Sequence, residues 1–324
     1  MYAGAPNPPE SRNFRVLIVR LGAMGDVIHT LPAVASLAAS FPEAEIAWAI
    51  DPKWAILLEG NPHVHHLIPF NRRDWSSVPR AFRQLRATRF DFAIDFQGLI
   101  KSALLATIAR PEKIYGFARG EARETPATWC YSSVLSTKAS HIVDKNLELA
   151  ALAGARDTAR QFPLPMGTPE GELPDGPFVL ANPLAGWASK QWPLEHYSHL
   201  AAMVPLVLNG APSSEGELRK VKGAHIHLSG LPGLIDATRR ATAVVGVDSG
   251  PLHLAAALGK PGVAIFGPTD PARNGPYGGF IKVLRAPNAP ITYKRGTTIA
   301  ESMRAITPTE VEAQLNRILN GTLS

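Results

Sequence analysis

The sequence predicts an α/β protein built from two Rossmann-like domains that face each other across a cleft. Short apolar runs rich in Val, Ile and Ala alternate with segments of helical periodicity, a pattern typical of a parallel sheet covered by helices. Several of these runs end in a glycine turn that opens a helix. Residues 161–178 are dense in proline and glycine, and the alternation restarts after them. The length of 324 residues also favours two domains, since domains are commonly about 150 residues long.

The domain boundaries follow from these changes in composition. We predict a disordered leader over residues 1–13, because this segment is polar and proline-rich, followed by an N-terminal domain over residues 14–165. Residues 166–177 are predicted to be a linker, residues 178–305 a C-terminal domain, and residues 306–324 a C-terminal helical segment whose apolar positions share one helix face.

Each predicted element is a short strand or the helix that follows it. In the first half, the predicted strands are residues 14–21, 46–50, 90–95 and 114–117, with a strand-like segment at 66–69, and the predicted helices are 27–40, 98–104 and 145–152. In the second half, the predicted strands are residues 178–181, 205–208, 225–228, 243–247 and 262–266, with helices opening at Pro193 and Gly250 and a last helix at 309–319. Ligands of such sheets bind beyond the carboxyl ends of strands, so the glycine turns are the expected sites.

Composition restricts the partners. The formal net charge is +6 and the pI is about 9.5, which favours an anionic partner. The basic residues form no lysine tract and no stripe interleaved with aromatic residues, which argues against nucleic acid. Cys130 is the single cysteine, so the sequence forms neither an internal disulfide nor a cysteine zinc site, as expected of a reducing cytoplasm. No apolar segment approaches the roughly 20 residues of a membrane span, so any membrane association is predicted to be peripheral.

The first glycine turn contains a candidate catalytic carboxylate. Residues 20–26 (RLGAMGD) end a predicted buried strand and open a helix, with Asp26 in the first helical turn. An aspartate at this position serves equally well as a helix cap, so the spacing alone does not decide its role. The turn lacks both G-x-G-x-x-G and G-x-x-x-x-G-K, which disfavours a dehydrogenase or an ATPase.

A second junction, residues 246–253 (GVDSGPLH), is a candidate phosphate site. Ser249 and Gly250 stand where a helix begins, and unpaired N–H groups and the helix dipole favour an anion there. Asp248 has either a structural role or a contact with a sugar hydroxyl. Taken alone, His253 is better explained as an ordinary helix residue.

Two further loops follow predicted strands. Lys190 lies in a loop ahead of the helix that opens at Pro193, where it either neutralises a diphosphate leaving group or is simply an exposed lysine. The segment 267–271 (GPTDP), which contains Thr269, follows another strand and is also explained as a turn.

Together these segments resemble a known family. The combination of VLIVRLGAMGDVIHTLPA, DFQGLIKSALL, SKQWP and VDSGPLHLAAALGKPGVAIFGPTDP, in this order, is similar to glycosyltransferase family 9, the ADP-heptose:lipopolysaccharide heptosyltransferases. The segment QGLIKS, Ala122-Arg123-Glu124, and His141 followed by Lys145 resemble the heptosyltransferase I branch.

The resemblance implies a fold, a reaction and a donor site. It implies the GT-B architecture, with the acceptor bound by the N-terminal half, the donor by the C-terminal half, and the last helix returning to the N-terminal domain. The implied reaction inverts the anomeric carbon, with Asp26 as general base and with neither a metal nor a cofactor. The donor is an ADP-sugar, ADP-heptose. Its implied contacts are Gly25, Lys190, Glu215, Asp248, Ser249, Gly250, His253 and Thr269, although Ser214 occupies the position where a ribose-binding Glu is familiar.

The resemblance also implies an acidic acceptor, Kdo-lipid A, at the cytoplasmic face of the inner membrane, with peripheral association and no nucleic acid partner. Its expected contacts are Arg72, Arg73, Gln97, Lys101, Arg123, His141 and Lys145, where Lys145 replaces a familiar Arg. Two alternatives remain: a related transferase using another nucleotide-sugar or acidic glycan, and a non-catalytic nucleotide-sugar-binding module. An oxidoreductase is disfavoured by the missing cofactor motif.

Overall fold

The computed structural model describes residues 14–71, residue 74 and residues 77–320. The chain divides into two compact units, Met1–Pro165 and Met166–Ser324. Each unit contains one parallel six-stranded sheet with helices, so the prediction of two Rossmann-like domains is confirmed.

The first unit has the strand order β3-β2-β1-β4-β5-β6. Every neighbouring pair is parallel, so the strands are joined by crossover segments. The strands are β1 (Arg15–Val19), β2 (Glu45–Ile50), β3 (His66–Pro69), β4 (Phe92–Asp95), β5 (Lys113–Phe117) and β6 (Ser133–Leu135). The helices are α1 (Met24–Ile28), α2 (Leu31–Ser40), α3 (Ser77–Ala87), α4 (Ile100–Ile108) and α5 (Ile142–Leu152).

The second unit repeats this topology. Its sheet has the order β12-β11-β10-β7-β8-β9, and its first and fourth strands are again neighbours. The strands are β7 (Val179–Asn182), β8 (Leu206–Gly210), β9 (His225–Leu228), β10 (Ala243–Val247), β11 (Gly262–Phe266) and β12 (Ile281–Arg285). The helices are α6 (Leu194–Ala201), α7 (Glu215–Leu218), α8 (Leu231–Arg240), α9 (Gly250–Ala257), α10 (Pro271–Asn274), α11 (Glu301–Arg304) and α12 (Pro308–Leu319).

Both faces of the sheets are covered. In β1, Leu17 and Val19 belong to the core on one face, while Val16 and Ile18, which point the other way, are also fully buried. Burial on two faces explains why the central strands are continuous apolar runs without alternating polar residues.

The sequence misses several peripheral elements. The edge strands β6 and β12 are short or carry charged residues, so they lack the continuous apolar run of a central strand. Helix α8 contains Pro232 and Gly233 in its first turn, and both residues discourage a helix prediction. Tertiary contacts require this glycine, because a Cβ at Gly233 would lie 2.6 Å from the Cβ atoms of Glu170 and Ser229. The helix predicted over residues 27–40 is divided into α1 and α2, with Pro32 in the first turn of α2.

The predicted linker segment, residues 166–177, contains no helix or strand and is held against the second unit. The carbonyl of Glu170 accepts a hydrogen bond from Nε2 of the buried His227, 2.5 Å away. The Glu170 carboxylate accepts another from the backbone N–H of Gly230, at the start of α8, and the carbonyl of Glu172 lies 2.8 Å from Nε2 of His225.

The last helix, α12, packs within the second unit. The expectation that residues 306–324 return to the first unit stays a prediction. In the described part of this segment, the apolar face of α12 packs into the core of the second unit, where Val311 and Leu315 are fully buried. This face covers β10 and β11, which would otherwise leave one side of their sheet exposed. Among the described residues, no helix combines the length and apolar character needed to cross a membrane.

Candidate active site

The sequence motifs lie at equivalent positions of the two sheets. In each unit the direction of strand addition reverses between the first and fourth strands, which are β1 and β4 in one unit and β7 and β10 in the other. The segments that follow these four strands carry Asp26, Gln97, Lys190 and Asp248. This topological switch point is where ligands of open α/β sheets bind, so each unit has one candidate site.

Asp26 is the third residue of α1, and its carboxylate contacts two arginines. Arg20 Nη2 lies 2.7 Å from Asp26 Oδ1. Arg123 Nη2 lies 2.8 Å from Oδ2 and 3.0 Å from Oδ1. The backbone N–H of Ala23 also donates to Oδ2 at 3.2 Å. The Asp26 side chain remains 20% exposed, so a ligand can reach it.

The two arginines set the protonation state of Asp26. Burial by itself would raise the pKa of Asp26, but the positive charges of Arg20 and Arg123 outweigh burial and hold this pKa below its usual range. The carboxylate is therefore ionised at neutral pH and able to accept a proton. Its lowered pKa also makes it a weaker base than an unpaired carboxylate.

Arg20 is a site residue to which the sequence analysis assigned no role. Its side chain is only 1% exposed, and Nη1 donates to the carbonyl of Phe96, the residue after β4. Arg20 thereby ties Asp26 to the turn that follows β4. The available signal was a charged residue ending an otherwise apolar buried strand, since arginine is almost never fully buried without a partner.

Arg123 depends on a glycine for its position. Gly98 has a φ of +68°, and a Cβ at this position would lie 3.1 Å from the backbone nitrogen of Arg123. The carbonyl of Gly98 accepts a hydrogen bond from Glu124 N, and the carboxylate of Glu124 accepts one from Ile100 N at the start of α4. The turn that carries Arg123 is therefore fastened to the turn after β4.

Two buried side chains, Gln97 and Asp95, accept hydrogen bonds that stabilise this region. Gln97 is buried, and its Oε1 accepts a hydrogen bond from the backbone N–H of Leu21, which lies in the turn containing Asp26. Asp95 is fully buried and accepts hydrogen bonds from Ser102 Oγ at 2.8 Å and Tyr131 Oη at 2.7 Å. These contacts give Gln97 a structural task, while its role in acceptor binding stays a prediction.

The other acceptor candidates have varied surroundings. His141 caps α5, with Nδ1 accepting from Val143 N at 3.2 Å, and Lys145 Nζ forms a 2.8 Å ion pair with Glu121. Lys101 is half-buried as the second residue of α4. Arg72 and Arg73 lie outside the described residues.

In the second unit, Lys190, Asp248 and His253 form one cluster. Lys190 Nζ lies 2.5 Å from Asp248 Oδ2, and His253 Nε2 lies 3.6 Å from Asp248 Oδ1. Burial would raise the pKa of Asp248, but the contacts with His253 and Lys190 lower it well below its usual range. Asp248 is therefore a permanent anion that fixes the Lys190 side chain at the end of β10.

Buried hydroxyl groups surround the same edge of the second sheet. Within the described parts of the chain, the hydroxyl oxygens of Ser189, Ser249 and Thr269 are buried and have no hydrogen-bond partner. These residues follow β7, β10 and β11, and Ser249 is the residue before α9. Buried polar groups are normally hydrogen-bonded, so three such hydroxyls at adjacent turns are suited to a polar ligand.

Trp187 is a further residue that the sequence analysis missed. The Lys190 ammonium lies 4.3 Å from the centroid of its ring, and the Arg295 guanidinium lies 5.6 Å from it. The indole adds a second contact to Lys190 besides Asp248. No pattern in the sequence separates Trp187 from an ordinary core tryptophan.

Two of the donor candidates have a different setting. Glu215 opens α7 after β8, and its carboxylate pairs with Arg219 at 2.6 Å on the protein surface. Gly25 is buried in α1 of the first unit, beside Asp26. Across the described residues, no group of three or more His, Cys, Asp and Glu side chains is arranged to hold a metal ion.

A comparison of the sequence with family models decides the classification. Residues 78–302 match the model described as glycosyltransferase family 9 (heptosyltransferase). The chain belongs to glycosyltransferase family 9. The interpretation of the motifs as those of a family 9 glycosyltransferase is therefore confirmed, and the protein is an enzyme of this class.

Relatives of this family 9 protein are similar along most of its length. The chain is 31% identical to lipopolysaccharide heptosyltransferase 1 of Escherichia coli K12, over 90% of this chain and 100% of that protein. It is also 31% identical to lipopolysaccharide heptosyltransferase 1 of Pseudomonas aeruginosa PAO1, over 82% of this chain and 81% of that protein.

Solved structures of family 9 proteins share the fold. The E. coli heptosyltransferase WaaC with ADP has a TM-score of 0.78 and 27% identity, covering 94% of this chain and 100% of that one. E. coli ADP-heptose lipopolysaccharide heptosyltransferase II has a TM-score of 0.74 and 25% identity, covering 96% of this chain and 100% of that one. The fold is thus that of the GT-B heptosyltransferases.

Proposed function

We propose that this protein transfers heptose from ADP-L-glycero-D-manno-heptose to Kdo of the lipopolysaccharide inner core, with inversion at the anomeric carbon. The observation that carries this proposal is the ionised, partly exposed carboxylate of Asp26 at the switch point of the first sheet. The name lipopolysaccharide heptosyltransferase 1, carried by a relative 31% identical over its whole length, supports the donor and acceptor.

In the proposed reaction, Asp26 acts as general base. A Kdo hydroxyl attacks the anomeric carbon from the face opposite the ADP group, its proton passes to the Asp26 carboxylate, and the bond to the diphosphate breaks. An aspartate that is ionised at neutral pH has the protonation state that this step requires.

In the second unit, Lys190 and the start of α9 would bind the diphosphate of the donor. Negative charge grows on the diphosphate as the glycosidic bond breaks, and a fixed ammonium and helix N–H groups stabilise it. The buried hydroxyls of Ser249 and Thr269 are suited to phosphate or sugar oxygens. Asp248 and His253 orient Lys190, whose position is set before the donor binds.

We propose that this transfer requires no metal and no cofactor, because Lys190 supplies positive charge at the leaving group. We further propose that the acceptor is Kdo-lipid A and that the protein works at the cytoplasmic face of the inner membrane, as a peripheral protein. The net charge of +6 is complementary to an acceptor that carries a carboxylate and phosphates.

A donor screen tests the proposal. ADP, UDP and GDP release would be followed from their sugar conjugates, with Kdo-lipid A present or omitted and with a chelator in a parallel series. We expect acceptor-dependent release of ADP from ADP-heptose that is unaffected by the chelator. Acceptor-dependent release from UDP- or GDP-sugars would assign a different donor, and release that ignores the acceptor would contradict glycosyl transfer.

A second candidate is a related transferase that uses another nucleotide-sugar. Two observations favour it: the Glu215 carboxylate is paired with Arg219 at the surface, and Ser214 stands at the position of the familiar ribose-binding Glu. The same screen separates the two, because heptose, glucose and mannose conjugates of one nucleotide can be compared directly.

A further inference from the structure

We propose that the two arginines at Asp26 have different tasks: Arg20 holds the carboxylate permanently, whereas Arg123 releases it when the acceptor's own carboxylate binds. Acceptor binding would then activate the general base. This inference rests on the proposed function, since it requires an acceptor that carries a carboxylate on the same sugar as the reacting hydroxyl.

The first argument is the difference in burial. The side chain of Arg20 is 1% exposed, while that of Arg123 is 45% exposed. An incoming anion therefore reaches the guanidinium of Arg123 without disturbing the interior. Arg20, by contrast, cannot leave Asp26 without abandoning a buried positive charge, which is strongly unfavourable.

The second argument is the difference in anchoring. Arg20 has a further acceptor in the carbonyl of Phe96, so two groups fix its guanidinium. Within the described residues, the side chain of Arg123 pairs with Asp26 alone. Its backbone packs against Gly98, while its side chain is exposed. Arg123 can thus exchange one carboxylate for another without any change in the fold.

The third argument is the charge balance. The charged groups facing Asp26 are Arg20, which follows β1, and Arg123, which lies in the loop after β5. Asp95, at the end of β4, is fully buried, acts on Arg20 and accepts hydrogen bonds from Ser102 and Tyr131. Arg123 shares Asp26 with Arg20, so its exposed guanidinium favours an additional anion.

The exchange would have a chemical consequence. While Arg123 contacts Asp26, the carboxylate is a weak base, because positive charge stabilises its ionised form. When the acceptor carboxylate pairs with Arg123, Asp26 retains contacts with Arg20 and the Ala23 N–H only. The proton affinity of the Asp26 carboxylate then rises. The acceptor hydroxyl is then present as the base becomes stronger, and no proton is taken up before the acceptor arrives.

The kinetic test combines two enzymes and two acceptors. The acceptors are a soluble Kdo glycoside and the same glycoside with its carboxylate converted to a carboxamide, and the second enzyme is Arg123→Gln. For the wild type, the carboxamide should lower kcat as well as raise KM, because Arg123 then stays on Asp26. Arg123→Gln should use the carboxamide with a kcat about three- to tenfold above that of the wild type, since its base is always released.

The direction of this change in kcat distinguishes an exchange of carboxylates at Arg123 from simple acceptor binding by Arg123. If Arg123 only binds the acceptor, removing it never increases kcat, and a carboxamide kcat in Arg123→Gln at or below the wild-type value overturns the proposal. Arg89→Gln is a matched control, because Arg89 forms an exposed 3.2 Å ion pair with Glu112 in the same unit. Its kinetic constants should equal those of the wild type with both acceptors.

A binding measurement tests the exchange without turnover. In Asp26→Asn, Arg123 no longer has an anionic partner, so calorimetry should find the Kdo glycoside bound several-fold more tightly than by the wild type, with no such gain for the carboxamide. If Asp26→Asn binds the glycoside equally well or more weakly than the wild type, the exchange proposal is overturned while the proposed function stands. If the wild type binds neither glycoside, the proposed acceptor class is wrong and the exchange falls with it.

Discussion

The ammonium of Lys190 lies 2.5 Å from the carboxylate of Asp248, although the two residues follow different strands of the second sheet. The side chains are 15% and 7% exposed, so this is a largely buried ion pair. The pair fixes a cation at the turn where the motif also provides Ser249 and the first N–H groups of α9. A diphosphate that binds there meets a positioned charge that Asp248 has already partly neutralised.

Substitution of the candidate base should abolish transfer while sparing the donor site. We expect Asp26→Asn to lower kcat by about 10²–10⁴-fold, because the amide does not accept the acceptor proton. ADP binding measured by calorimetry should change little, since Lys190, Asp248 and Ser249 lie in the other unit. Asp157→Asn, on the surface of the first unit, is the control. A folded Asp26→Asn protein that retains most of its turnover would remove Asp26 from the chemical step.

Loss of the Lys190 charge should act on the transition state. We expect Lys190→Ala to lower both kcat and kcat/KM for the nucleotide-sugar, because the diphosphate gains charge as the bond breaks. Lys220→Ala, which breaks an exposed ion pair with Glu217 in the same unit, should have no effect. If KM rises and kcat stays the same, Lys190 binds the ground state and the transition state equally.

The Asp248 pair should make stability depend on pH in one direction. The pKa of Asp248 is lowered in the folded protein relative to the ordinary value of 3.8, so its stabilisation is fully present above that value and is lost as the pH falls below it. We expect Asp248→Asn to reduce the free energy of unfolding by about 3 kcal/mol near pH 7. The difference from the wild type should shrink below about pH 4. Urea unfolding at each pH measures it, and a difference that grows in acid contradicts the pairing.

Gly98 should matter through Arg123. Gly98→Ala introduces a Cβ 3.1 Å from the backbone nitrogen of Arg123, at a φ of +68°. Gly60→Ala is the matched control, because its φ is +65° and nothing lies within 4 Å of the added atom. Both variants should lose about 1 kcal/mol of stability from the backbone conformation. Only Gly98→Ala should also impair acceptor use, and equal kinetics in the two variants would show that the packing is irrelevant to the site.

The acceptor prediction for Arg72 and Arg73 stays a sequence-based one, because both residues lie outside the described part of the chain. We expect charge reversal of the two arginines to raise the acceptor KM far more than the KM of the nucleotide-sugar. Acceptor use by the wild type should also weaken as salt increases, since exposed charges are screened over about 8–10 Å at physiological ionic strength. Unchanged acceptor kinetics in the double variant would remove both residues from the acceptor site.

The sequence by itself determined the fold class, the central strands and the position of each motif. Buried parallel strands such as β1 and β10 are continuous apolar runs followed by glycine turns. The sequence pattern of these strands therefore matches their buried position in the sheet. The edge strands β6 and β12 and helix α8 escaped prediction, because their residues satisfy tertiary contacts that do not appear in the local sequence pattern.

Only the tertiary structure decided which side chains meet. Asp26 and Arg123 are separated by 97 positions, and Lys190 and Asp248 by 58, yet each pair forms an ion pair because parallel strands bring their carboxyl ends to one edge of a sheet. The sequence indicated Asp26 without its two arginines and Lys190 without Asp248 as its partner. The role of Arg20 could not be predicted for the same reason. Its burial and its contact with Phe96 arise because β1 and β4 lie side by side, and spacing along the chain does not show which strands are neighbours.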